Sequence, residues 1–136
     1  MGRIIGIDYG KKRTGLSATD PLQIIVSGLT TIDTKGLLDY LKEYCQNEEV
    51  EMLVLGLPEH LDGTPTFLKK DIDTFVAKFK KVFPDIPVEY QDEAYSTEDA
   101  KSVMLQAGLK KMKRRDKDII NKMSAVIILQ RFLKHI

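Results

Sequence analysis

Residues Glu51 to Leu57 read EMLVLGL and are closed by Pro58. A run so nearly continuous in its apolar residues has no face to offer to water. It predicts a central parallel strand covered on both sides, and the rest of the chain has to supply that cover.

The segments before it predict a meander. Arg3 to Tyr9 (RIIGIDY) is short, apolar and rich in isoleucine, and reads as a buried strand. Gly10-Lys11-Lys12-Arg13 is a turn with a basic tip. Thr14 to Thr19 and Gln23 to Ile32 follow as strands, parted by the turn signal Asp20-Pro21. Thr34 to Asn47 then carries Leu37, Leu38, Leu41 and Tyr44 at helical spacing, with Thr34 as the N-cap.

Beyond the apolar run the pattern alternates. Phe67 to Phe83 predicts a helix, Ile86 to Tyr90 a strand, a start at Ser96 or Thr97 a helix that stops at Gly108, and Lys117 to Leu133 a last helix. The expected architecture is α/β: a mixed five-stranded sheet, three strands antiparallel and two parallel, with helices on both faces. At 136 residues the chain suits one domain, 1–136, and its 43% hydrophobic content suffices for one core.

Function classes narrow by exclusion. The single cysteine, Cys45, permits no intramolecular disulfide, and His60 and His135 show no zinc-ligand spacing. No apolar run approaches the ~20 residues of a membrane helix, and the N-terminus lacks a signal-peptide layout, so a cytoplasmic protein without membrane partners is expected. Net charge is only +1, but Lys110, Lys111, Lys113, Arg114, Arg115 and Lys117 form a local basic cluster. Such a cluster suits phosphates, and equally suits a solvated loop between helices.

Three places could carry chemistry. Asp8 ends an apolar strand, and strand alternation puts it on one face with Gly6 and Ile4. A carboxylate there needs a partner or a cation, which turn amides could also supply. Asp92-Glu93 follows a strand and precedes a helix, where acids also suit the positive helix end. Asn121 lies on the face of the last helix that carries Ser124 and Ala125, small residues that let the helix approach the sheet. A buried, hydrogen-bonded amide is the other reading of Asn121.

Taken together these residues resemble a family. Ile4-Ile5-Gly6-Ile7-Asp8-Tyr9-Gly10 with Lys12-Arg13-Thr14-Gly15 is similar to the opening signature of YqgF (RuvX) proteins. Leu55-Gly56-Leu57-Pro58 with Asp62-Gly63, Asp92-Glu93-Ala94-Tyr95-Ser96-Thr97 and Ser124 to Gln130 resemble its later motifs, in family order.

The resemblance implies an RNase H-like fold and a nuclease related to Holliday junction resolvases, using Mg²⁺ or Mn²⁺ and acting in maturation of the 16S rRNA 5′ end. It gives Asp8, Glu93 (with Asp92 beside it) and Asn121 the catalytic positions, with Asp8, Glu93 and Asn121 on the metal. Lys11, Lys12, Arg13, Lys110, Lys111, Lys113, Arg114 and Arg115 are the expected phosphate contacts. The partner would be structured RNA, such as pre-16S rRNA, or branched DNA, and the protein a monomer or weak homodimer.

Two positions depart from the family pattern. Ala94 stands where the family has Arg, and Asn121 where it has Asp. Asn offers one neutral oxygen, so metal binding should weaken. Asp118, one turn earlier, faces the same side and could partly substitute. A catalytically weakened or inactive nucleic-acid-binding domain is therefore the alternative expectation. A nucleotide-binding kinase or ATPase fragment is disfavoured, because the chain has no room for a second lobe.

Overall fold

The structure is a computed structural model and describes residues 2–57, 66–92 and 117–135. Its elements run β1 (Arg3–Asp8), β2 (Arg13–Thr19), β3 (Val26–Asp33), α1 (Leu37–Asn47), β4 (Val50–Leu57), α2 (Thr66–Val82), β5 (Val88–Asp92) and α3 (Lys117–Phe132). The described strands form one sheet in the order β3-β2-β1-β4-β5. β2 is antiparallel to both its neighbours, while β1, β4 and β5 are mutually parallel. The expected helix over Ser96 to Gly108 lies outside the described residues.

The apolar run is β4, held between β1 and β5 with Leu53, Val54 and Leu55 fully buried. Its alternate residues divide the core as the pleat requires. Leu53 and Leu55 join Ile5, Ile7 and Leu16 under α1 and α2, where Leu37, Leu41, Ile72 and Phe79 are buried. Val54 and Ile4 face the other way and meet Ile128 and Leu129 of α3. Each such large side chain contributes about 1.5–3 kcal/mol through removal from water, so both faces of the run need their helices.

α3 lies unusually close to the sheet because glycines clear its path. A Cβ on Gly6 would stand 2.9 Å from the Ala125 carbonyl oxygen, and one on Gly15 would stand 2.0 Å from that of Asn121. One on Gly28 would meet the Lys122 side chain at 2.8 Å. Between these glycines Ser17 donates a buried hydrogen bond of 2.7 Å to the Ala125 carbonyl.

Three departures from the expected boundaries each have a local reason. β3 starts at Val26, not Gln23, because the Asp20 carboxylate accepts from the N–H groups of Leu22, Ile24 and Ile25. Those bonds fold 20–25 into a tight loop, with Gln23 at φ 60°. Thr34 opens a short 3-10 turn and is not the N-cap of α1. Its hydroxyl donates instead to the Gly10 carbonyl at 2.7 Å and shares a hydrogen bond with that of Thr14. β5 begins at Val88 because the Ile86 N–H is used by the Phe83 carbonyl at the end of α2.

Candidate active site at the end of the first strand

Asp8 is the last residue of β1, a strand with neighbours on both sides. Gly6 and Ile4 share its parity and pack under α3, which places Asp8 on the α3 face of the sheet. Its partner in β2 is Gly15. On the other side Ile7 pairs with Leu55, so the next step of that register sets Asp8 level with Gly56, whose own partner in β5 is Gln91. The carboxylate thus rises between two positions that carry no side chain. Glycine within a strand marks a place where something else comes close.

α3 closes one side of this opening. The Asn121 main chain lies directly over Gly15, one strand away from Asp8, and Asn121 is half-buried there. Ser124 and Ala125, one turn on, are fully buried against the sheet, as small residues at this distance must be.

The N-terminus of α3 is tied down by charge. Arg13, the first residue of β2, forms a two-bond pair with Asp118, Nε to Oδ1 at 3.0 Å and Nη2 to Oδ2 at 2.6 Å. Its Nη1 donates to Asp33 at 2.7 Å. The two carboxylates, Asp118 foremost, raise the guanidinium pKa above its already high ordinary value. The Thr31 hydroxyl also donates to the Asp118 carbonyl. Arg13 is therefore a clamp between β2, β3 and α3. Asp118, which the sequence offered as a substitute metal ligand, spends its carboxylate on that clamp.

Lys11 and Lys12 are exposed on the turn that follows Asp8. That turn is fixed from behind, since the Thr34 N–H donates to the Lys12 carbonyl at 2.9 Å. Asp92 ends β5 in register with Leu57, at the same end of the parallel strands as Asp8. Two strand spacings separate their strands, roughly 10 Å. Glu93 and the basic residues Lys110, Lys111, Lys113, Arg114 and Arg115 lie outside the described residues.

Among the described residues no group of three or more His, Cys, Asp and Glu side chains could hold a metal ion. Asp8 and Asn121 offer oxygen donors only, which in kind suits a hard divalent cation. Two features of the site escaped the sequence reading. Gly15 and Gly56 gain meaning only from the strand register. Gln91 falls in the Asp8 row through that register, and no local signal singled it out.

The chain matches the family described as RuvX, Holliday junction resolvase, over residues 2–135. A protein of Porphyromonas gingivalis assigned by name as a pre-16S rRNA nuclease is 50% identical over 133 residues, 98% of this chain and 96% of the relative. One of Bacteroides fragilis with the same name is 46% identical, covering 98% and 97%. Among solved structures, T. thermophilus RuvC in complex with Holliday junction substrate superposes with a TM-score of 0.59 at 15% identity, over 99% of this chain and 96% of that one. The fowlpox virus Holliday junction resolvase gives 0.54 at 11% identity, over 98% and 99%. At such low identity these two establish the fold, which is RNase H-like.

Proposed function

The chain belongs to the RuvX family of Holliday junction resolvases, and from that premise we propose that it hydrolyses phosphodiester bonds in structured nucleic acid with a divalent metal ion. The observation that carries the reading is Asp8 at the end of β1, between Gly15 and Gly56, with α3 docked beside it. A carboxylate at the end of a central strand is placed to meet a polyanion only if a cation mediates.

Asp8, Glu93 and Asn121 would hold Mg²⁺ or Mn²⁺, with Asp92 beside Glu93. The bound ion supplies a Lewis acid for the phosphoryl oxygens and lowers the pKa of the attacking water. Lys11 and Lys12, exposed beside Asp8, hold backbone phosphates, and Lys110, Lys111, Lys113, Arg114 and Arg115 extend that contact. These contacts position a strand without reading its sequence. Arg13 serves the site from behind, by fixing the first turn of α3.

The names of the relatives point to RNA, precursor 16S rRNA, as the substrate. A second reading rests on Asn121: the neutral amide leaves the site short of one charge, and the domain then binds nucleic acid with little or no cleavage. Cleavage of precursor 16S rRNA and of a four-way DNA junction in Mg²⁺ or Mn²⁺, with wild type and Asp8→Asn, decides between them. Metal-dependent products lost in Asp8→Asn support the hydrolase. Binding without products on either substrate supports the second reading.

A further inference from the structure

Behind Asp8, on the opposite face of the sheet, lies a cavity of about 340 Å³ between α1 and α2. It falls in the ~300–1,000 Å³ range of small-ligand pockets. Its inner wall is aromatic: the half-buried Tyr9 ring lies 5.9 Å from that of Phe75, which is buried. Its rim carries Lys35 and Asp39 from the α1 side and Asp71 and Lys78 from α2. Among the described residues none of these four charges forms an ion pair with another, although they surround one space. Cations and anions that ring a cavity without neutralising each other suit a ligand with both an anion and hydrogen-bond donors.

The cavity is coupled to the candidate active site by the chain itself. Tyr9 is the residue after Asp8, and Thr34 of the cavity wall hydrogen-bonds the Gly10 carbonyl. Asp8 and Tyr9 are consecutive at the end of β1 and by strand alternation face opposite sides of the sheet.

We propose that this cavity receives one unstacked nucleotide of the substrate strand, with a base that bears an exocyclic amine. The flat base packs on Tyr9 and Phe75, its amine donates to Asp71 or Asp39, and a flanking phosphate meets Lys35 and Lys78. Adenine, cytosine and guanine carry such an amine, whereas uracil and thymine offer only the ring N3–H. The inference rests on the hydrolase reading for the identity of the strand, and its test needs no cleavage.

The test is binding of labelled five-nucleotide oligo-A, oligo-C and oligo-U to the full chain in EDTA. Oligo-A and oligo-C should bind about fivefold more tightly than oligo-U, and the Asp39→Ala, Asp71→Ala double variant should level the three. Tyr9→Leu should weaken oligo-A about tenfold with its melting checked separately, since a lost base stack is a large share of such binding. Lys78→Ala should weaken all three alike and lower the salt slope by about one. Equal affinities in wild type, or a preference that survives the double variant, overturn the proposal. AMP alone binding as tightly as oligo-A overturns the assignment to a strand. If Asp8-dependent cleavage persists while the oligonucleotides bind alike, the cavity proposal fails alone. If cleavage is absent but the preference appears, only the hydrolase reading fails.

Discussion

The Asn121 carbonyl oxygen occupies the space that a side chain on Gly15 would need: a Cβ there would lie 2.0 Å from it. Gly15 is also the strand partner of Asp8. One missing side chain therefore sets the distance between the last helix and the acid at the end of the first strand.

Gly15→Ala must push α3 outward, since the obstructing atoms are backbone and cannot rotate away. The expected cost is about 3 kcal/mol, at the upper end for overpacking. A thermal melt should show a fall of several degrees, and metal-dependent activity should drop further than the fraction unfolded explains. An unchanged melting temperature would mean that α3 does not sit this close.

The hydroxyl of Ser124 is buried, and among the described residues no hydrogen-bond partner reaches it. Removing it removes a desolvated polar group and leaves no donor behind. Ser124→Ala should stabilise the protein by about 1 kcal/mol in denaturant unfolding, with the slope unchanged.

Asp20 holds the loop between β2 and β3 through three backbone N–H groups, which lower its pKa, that of Ile25 most, below the ordinary value of 3.8. A depressed carboxylate contributes stability above its unfolded pKa and loses it as pH falls through the folded one. Asp20→Ala should therefore melt lower than wild type at pH 7. The gap should persist down to about pH 4 and close only below it, where the carboxylate takes up its proton.

The Arg13–Asp118 clamp is exposed, so salt should weaken it. Asp118→Asn should loosen the first turn of α3, seen as faster amide exchange at 119–122 in low salt. Raising the salt should bring wild type towards the variant. If both exchange alike in low salt, the pair does not anchor the helix.

Much of this arrangement was legible beforehand, because it follows from local patterns. The EMLVLGL run required cover on both faces, and alternation along RIIGIDY put Asp8 with Gly6 and Ile4; the structure has both. Ser124 and Ala125 announced a close helix. What stayed hidden depends on partners distant in the chain. The ion pairs of Arg13 were not legible, because nothing near it in sequence reveals Asp33 or Asp118, 20 and 105 residues away. Thr34 read as a helix cap because its hydroxyl had no visible competitor, yet Gly10 and Thr14 take it. Asp20 was seen as a turn residue, but the number of N–H groups it gathers, and so the late start of β3, was not.

The proposed role of Asn121, carried over Gly15 by α3, is to complete the Asp8 site and to limit it by lacking a charge. Its most direct test is the Mg²⁺ dependence of precursor 16S rRNA cleavage by wild type, Asn121→Asp and the Asp8→Asn, Asn121→Asp double variant. Asn121→Asp should lower the half-saturating Mg²⁺ concentration by about tenfold, as one more charged oxygen ligand should, and the double variant should be inactive. An unchanged midpoint and rate in Asn121→Asp, or activity retained without Asp8, would contradict it.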